Sequence, residues 1–275
     1  MIKILFPTDY SATAENAFIY ALQICKKYDG ELIVLHSYTP KTNSKISENI
    51  DLENNSGTSD LFKQQIDQMR ELALENDLGE LSLKFFMEEG DLVQNILDLV
   101  SKENISLIVM GTTGNSGFEN KVLGSKTFGV INNVDIPILS IPHLCKFEEI
   151  SAVGFTTVYD KEDSLVLRKM IPYIQSANAD IYCIHVNKGK EIKTHEEIDR
   201  WKEQFKHDRV FFVEKKEDHI VKGVFDLIDQ HSIDMLSCVT RNKSLFQRVF
   251  ESSIAEKLSY HKRIPLLTFH ENMFK

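Results

Sequence analysis

The sequence predicts an α/β protein made of two tandem open parallel sheets, each of five strands with helices on both faces. Three observations predict it. Short apolar runs alternate with amphipathic stretches along all 275 residues, the pattern of parallel strands joined by crossover helices. The second half repeats the first. Glu31-Leu-Ile-Val-Leu-His36-Ser37 reads against Asp180-Ile-Tyr-Cys-Ile-His185-Val186, and Ile136-Pro137-Ile138-Leu139 against Ile264-Pro265-Leu266-Leu267. The length also divides into two domains of ordinary size. We place them at residues 1–143 and 149–275, with the linker near His143–Glu149.

The elements follow in order. Ile2–Pro7 is a short apolar run and reads as a buried strand. Ala12–Tyr28 sets Ala14, Ala17, Phe18, Ala21, Leu22 and Cys25 on one helical stripe. Leu32–His36 is a second strand. Thr39–Asp60 is rich in Asn, Ser, Lys and Glu with little periodicity, and reads as a surface loop. Leu61–Asn76 returns to helical spacing through Phe62, Ile66, Met69, Leu72 and Ala73. Leu81–Met87 reads as a third strand, Leu92–Glu103 as a helix, Leu107–Met110 as a fourth strand, Glu119–Asn132 as a helix and Ile136–Ile141 as a fifth strand. The second half follows suit, with strands near Ala152–Phe155, Ile181–Val186, Val210–Glu214, Asp234–Cys238 and Pro265–Phe269. The early match holds at an offset of 149 residues, and the later ones, including Ile96–Val100 against Val224–Ile228, at 128. The loop after the second strand absorbs the difference.

Composition removes several function classes. Net charge is −9, all of it from residues 1–143, which hold 11 Lys/Arg and 20 Asp/Glu; residues 144–275 hold 21 of each. No basic face is suggested, so nucleic acid is a poor partner. No apolar stretch is long enough to span a membrane, and the N-terminus turns polar too early for a signal peptide. The four cysteines, Cys25, Cys145, Cys183 and Cys238, form no paired motif, which fits a reducing, cytoplasmic setting.

In open α/β sheets, ligands bind beyond the carboxyl ends of the strands. There the fourth strand runs into Gly111-Thr-Thr-Gly114-Asn-Ser-Gly117, and Gly124-Ser125 follows. Glycine permits positive φ and close approach to a ligand. Successive main-chain N–H groups make an anion nest, and a helix N-terminus adds unpaired donors. The Ser hydroxyl supplies one more. This is phosphate chemistry that needs no lysine.

The pattern resembles the ATP-binding class of universal stress proteins, as two such domains in tandem, with an adenine nucleotide α-hydrolase-like fold. Ile4-Leu-Phe-Pro7-Thr8-Asp9-Tyr-Ser11 is similar to the family's first strand and its Asp-bearing loop, Leu35-His36-Ser37 to its second strand end, and Leu107 through Ser125 to its phosphate motif. The resemblance implies roles. Pro7 and Thr8 belong to the binding loop, and Asp9 meets the ribose. Main chain near Ser37 meets the adenine edge. Gly111, Gly114, Gly124 and Ser125 hold phosphate, with Met110 and Thr127 lining the site. The implied cofactor is ATP or AMP, with Mg²⁺ as an optional companion. The family often carries His and Arg beside the second glycine, where this chain has Thr113 and Asn115. That would weaken triphosphate binding or favour a less charged nucleotide. By position alone Asp9 also suits a helix cap or an Asx-turn.

The second copy departs from the pattern. Gly111 becomes Val239, Gly114 becomes Asn242, Gly124-Ser125 becomes Ser252-Ser253, and Asp9 falls on Val158. A β-branched Val resists positive φ, so no nucleotide is expected there. Arg241, Lys243 and Arg248 crowd that loop, as another anion site or as surface charge. Seven of nine histidines lie in this half without a zinc-type spacing. Cys183 and His185 read as core, Trp201 with Phe205 as core or half-buried on an amphipathic helix, and no metal site is assigned. His143 and Cys145 are neighbours without an orienting third group. No Gly-x-Ser-x-Gly elbow or Walker lysine is present.

Three functions remain: a nucleotide-binding stress sensor or regulatory module, a ligand-free scaffold, and an adenylating enzyme on the same sheet. The third lacks further motifs, so at most slow ATP hydrolysis is expected. The resemblance implies that Ile136–Ile141 and Ile264–Phe269 help pair the two domains within the chain. Whether the chain also forms a homodimer is left open.

Overall fold

The computed structural model describes residues 1–39, 56–112, 124–187, 195–240 and 264–274. In the first half the strands are β1 (Lys3–Pro7), β2 (Glu31–Tyr38), β3 (Leu83–Glu89), β4 (Leu107–Gly111) and β5 (Ile138–Ile141). The helices between them are α1 (Ala12–Tyr28), α2 (Ser56–Glu75), α3 (Leu92–Glu103) and α4 (Ser125–Asn133). The second half supplies β6 (Ala152–Thr156), α5 (Lys161–Ser176), β7 (Asp180–Asn187), α6 (His195–Gln204), β8 (Val210–Lys216), α7 (Ile220–Gln230), β9 (Met235–Thr240) and β10 (Leu266–His270).

Local chemistry sets the element ends. The predicted α1 stripe of Ala14, Ala17, Phe18, Ala21, Leu22 and Cys25 is buried throughout. Lys26 and Lys27 occupy its last turn, where cations complement the helix dipole. Asp29 closes it in the left-handed region at φ 49°. On α3 the Asp91 carboxylate accepts from the Val93 and Gln94 N–H groups and caps the helix.

Each half is a parallel five-stranded sheet, and the two meet at one edge. The full order is β3-β2-β1-β4-β5-β10-β9-β6-β7-β8. Only β5 and β10 run antiparallel, through Ser140↔Leu266, Leu139↔Leu267 and Ile138↔Thr268. Leu139 and Leu267 are the same position of the internal repeat, so a pseudo-twofold axis passes between them, perpendicular to the sheet. Edge strands carry unpaired N–H and C=O groups, and this joint covers one edge of each half with the other. An axis of that direction keeps each face on its own side. One apolar core accordingly packs α1, α2, α5 and α6 on one face, and another packs α3, α4 and α7 on the other.

The repeat offsets survive strand by strand. Ile4 pairs with Leu107 as Val153 pairs with Met235. The length difference is partly helical: α2 has 20 residues where α6 has 10. Residues 56–60, read from sequence as loop, belong to α2. Their Ser, Gly and Thr favour helix ends and carry no apolar stripe. The rest of the expected loop, 40–55, lies outside the described residues, as do 119–123 of the helix expected from Glu119.

The connection between the halves is anchored. Asn16 Nδ2 donates to the carbonyls of Pro142 at 3.1 Å and Cys145 at 2.7 Å. Phe147 packs edge-on against Tyr20. Removing one partner from such bonds costs about 1–3 kcal/mol. We expect Asn16→Ala to lose stability in that range by urea denaturation, and Asn16→Asp to lose more, because a carboxylate would face two carbonyl acceptors.

Candidate functional site

Strand order locates the site before any side chain is considered. From β1 the chain winds toward β2 and β3, and from β4 it winds the other way to β5. The loops leaving β1 and β4 therefore part, and a crevice opens above their carboxyl ends. Side chains alternate along a strand. Met110 belongs to the core beneath α3 and α4. Pro7 and Ser37 share the parity of Leu5 and Leu35 in that same core. Three predicted site residues, on β1, β2 and β4, thus share one face at one end of the sheet.

The main chain of β2 takes part as well. Glu31 N–H donates to Ile2 O, and Leu35 O accepts from Thr8 N–H. Odd-numbered residues of β2 therefore turn their main-chain groups toward β1. Ser37, two residues beyond Leu35, turns its N–H and C=O toward the space past the end of β1. The Thr8 carbonyl does not extend the ladder. It meets His36 Nδ1 at 2.9 Å, and since a carbonyl only accepts, Nδ1 carries the proton.

The β1–α1 turn is held by its own side chains. Thr8 Oγ1 accepts from Tyr10 N–H at 3.0 Å. Asp9 Oδ1 accepts from Ser11 N–H at 3.2 Å and from Ser11 Oγ at 2.6 Å, which is an Asx-turn. Tyr10 lies at φ 56°, an uncommon conformation for a bulky residue, with its ring against His36. The second half repeats this: Tyr159 at φ 60°, Thr157 Oγ1 accepting from Tyr159 N–H, and His185 Nδ1 on the Thr157 carbonyl. Those groups belong to the turn common to both halves. Asp9 does not recur. Val158 takes its place, and Asp163, 2% exposed, accepts from Val158 N–H and Thr157 Oγ1.

At β4, Thr112 N–H donates to Ile141 O, and Gly124 N–H donates to Thr112 O at 2.6 Å. The loop thus leaves Thr112 and returns beside it. Gly114, Thr113, Asn115 and Gly117 lie outside the described residues. Gly124 is the N-cap of α4 and has no side chain to cap it, so the cap residue offers the first-turn N–H groups of α4 no side-chain acceptor. Thr127 is buried, and its hydroxyl donates to Gly111 O at 2.9 Å. It ties α4 to the end of β4. One expectation needs correction. Gly111 ends a strand and Gly124 sits at φ −67°, and neither has positive φ. Val239, the counterpart of Gly111, sits in β9 as ordinary extended chain. Arg241, Asn242, Lys243, Arg248, Ser252 and Ser253 lie outside the described residues.

Sequence reasoning missed Asn95. From α3, its Nδ2 reaches Ser37 Oγ at 3.1 Å and the Glu88 and Glu89 carbonyls at 3.4 Å. An Asn inside a helix gave no motif to notice. On the opposite face a cleft of about 310 Å³ separates α1 from α2 over Phe6, Phe18 and Met69. It shares Thr8 with the candidate residues but not Ser37 or Met110.

The thiols are buried. Cys145 is pushed up to about 11 by burial and by Glu148. Cys25 rises to about 12 by burial and Glu31, and Cys238 to about 12 by burial and Asp163. Burial also drives Cys183 upward. Among the described residues no group of three or more His, Cys, Asp and Glu side chains is placed to hold a metal ion, and no helix is long and apolar enough to cross a membrane.

Fold and crevice together define a doubly wound protein of the adenine nucleotide α-hydrolase-like class. The chain belongs to the universal stress protein family, whose sequence profile matches residues 1–142. It is 29% identical over 145 residues to a universal stress protein of Methanocaldococcus jannaschii, covering 50% of this chain and 81% of that one. A second protein of the same name and organism is 24% identical over 151 residues, covering 50% and 93%. In fold, the chain is similar to a universal stress protein from Archaeoglobus fulgidus, with 98% of both chains covered, a TM-score of 0.71 and 16% identity.

The thiols give a test of the burial pattern. Folding holds them protonated above their ordinary value of 9.0. Their contribution to stability is complete below about pH 9 and is lost as pH rises toward the folded values. We expect urea midpoints to fall as pH climbs from 9 to 11, and a thiol reagent at pH 8 to label the native chain far more slowly than the unfolded one.

Proposed function

We propose that the first half binds an adenine nucleotide, ATP or AMP with or without Mg²⁺, and serves as a sensor or regulatory module. One observation carries this reading: Pro7, Ser37, Met110, Gly111 and the N-terminus of α4 converge at the crevice where the sheet changes winding direction. In this reading the phosphate lies against Gly111, Gly124 and Ser125 and the α4 N–H groups, where an anion gains from the helix dipole. Gly114, outside the described residues, is a further phosphate contact by the family resemblance. The base lies by Pro7 and Met110 with one edge on the N–H and C=O of Ser37, an acceptor–donor match. Asp9, beside the crevice, meets the ribose.

The second half is proposed to be ligand-free. It has Val158 for Asp9, Val239 for Gly111 and Val186 for Ser37. Residues 1–143 and 149–275 then act as a binding domain and its partner domain, paired through β5 and β10. Four free, buried thiols support a reducing, cytoplasmic setting.

Calorimetric titration of the full chain with ATP, ADP and AMP, with and without Mg²⁺, tests the proposal. One event per chain is expected. Gly111→Val should weaken binding by at least about 10-fold, equivalent to 1.4 kcal/mol, with unchanged circular dichroism, because Val239 shows that the strand accepts valine. Absence of binding at millimolar nucleotide sinks the sensor reading and leaves the scaffold. Two events per chain contradict the ligand-free second half.

A further inference from the structure

The side chains of Asn95 and Ser37 form a polar pair at the end of β2, on the face of the sheet that carries Pro7 and Met110. Its polarity can be deduced. Asn95 Nδ2 faces the Glu88 and Glu89 carbonyls as well as Ser37 Oγ. Carbonyls only accept, so the atom facing them is the NH₂ group. Ser37 Oγ therefore accepts from Asn95, and its own proton is directed elsewhere. Ser37 is half-buried, and among the described residues its hydroxyl makes no other hydrogen bond.

The second half supplies the internal comparison. Ser37 corresponds to Val186 at the 149-residue offset, and Asn95 to Gly223 at the 128-residue offset. There the pair is apolar and tightly closed: a Cβ on Gly223 would come within 2.6 Å of Val186 Cγ1. The backbone at this position therefore accommodates a dry Val–Gly contact. The half with the glycine loop has an oriented hydroxyl in its place.

We propose that the Ser37 hydroxyl donates a hydrogen bond to a ring nitrogen of the bound base, making Ser37 a specificity-determining residue beyond its main-chain groups, with Asn95 as the residue that positions it. This inference rests on the adenine reading above. Nucleobases present ring nitrogens as acceptors on fixed edges. A hydroxyl that already accepts from an amide still has its proton to give, and that proton can serve such an acceptor. Asn95 further joins the ends of β2 and β3 through the Glu88 and Glu89 carbonyls, which fixes where the hydroxyl stands.

The test is a thermodynamic cycle between protein and ligand. Full-length protein is titrated with AMP and with its 1-deaza, 3-deaza and 7-deaza analogues, in which one ring nitrogen is replaced by CH. The wild type should bind one analogue about 10-fold more weakly than AMP through this contact. Ser37→Ala should remove that difference, and Ser37→Thr should restore it. Asn95→Asp should behave like Ser37→Ala, because the carboxylate would take the hydroxyl proton. The double variant Ser37→Val/Asn95→Gly copies the arrangement in the second half; it should fold and show no such difference. Discrimination that came from a main-chain contact would persist in Ser37→Ala, and that result overturns the proposal while leaving the nucleotide site intact. If the wild type binds none of the four ligands, the adenine reading itself fails.

Discussion

The change of winding direction between β1 and β4 is the constraint on which the rest of this structure depends. A right-handed crossover moves the chain one way along a sheet for helices on one face and the opposite way for helices on the other. Here α1 and α2 lie on one face and α3 and α4 on the other. The order β3-β2-β1-β4-β5 follows from that division, and so does the crevice above β1 and β4. Parallel strands place all their carboxyl ends together, so Pro7, Ser37 and Gly111 reach the same place although they are far apart in the chain. The bond from Gly124 N–H to Thr112 O then sets the N-terminus of α4 beside them.

The internal repeat acts as a control within one molecule. Features present in both halves belong to the fold. They include the positive φ of Tyr10 and Tyr159, the Thr hydroxyl that closes each turn, and the His ring on each Thr carbonyl. A residue such as Tyr10 would draw attention as strained, yet its counterpart recurs where Asp9 and Gly111 do not. Features found in the first half alone are the better candidates for ligand contact: Asp9, Gly111, Gly124, and Ser37 with Asn95.

Much of the fold was legible because period and repeat are properties of local sequence. All ten strands lie within a few residues of the apolar runs that announce them, and the α1 stripe is buried as spaced. Trp201 and Phe205, read as core or half-buried, are both buried, with Trp201 packed edge-on against Tyr159 and Phe205 against Trp201. The start of α2 was missed because Ser, Gly and Thr carry no helical stripe. Of the two reasons glycine suits such a loop, positive φ does not hold at Gly111 or Gly124, and sequence does not separate a need for positive φ from a need for space. Asn95 was invisible because its importance lies in a contact with a residue 58 positions away. Sequence spacing finds motifs that are short along the chain, and the Asn95–Ser37 pair exists only once β2 and α3 are side by side.

The energetics of that pair bear on the proposal that the first half is organised around a ligand. A half-buried polar group with an unfilled hydrogen-bonding position costs up to about 1–3 kcal/mol when water cannot reach it. A valine against a glycine avoids that cost and gains roughly 0.8 kcal/mol for each methylene equivalent buried. The second half shows that this fold accommodates the apolar solution, with Val186 on Gly223, and it also satisfies its turn with Asp163 where the first half has Ala14. By packing alone the first half forgoes the apolar contact at Ser37 and Asn95, and it closes its turn through Asp9 and Ser11 instead. A ligand that binds only the folded chain returns stability in proportion to its occupancy, and an arrangement of polar groups that is costly when empty is what such a ligand would repay.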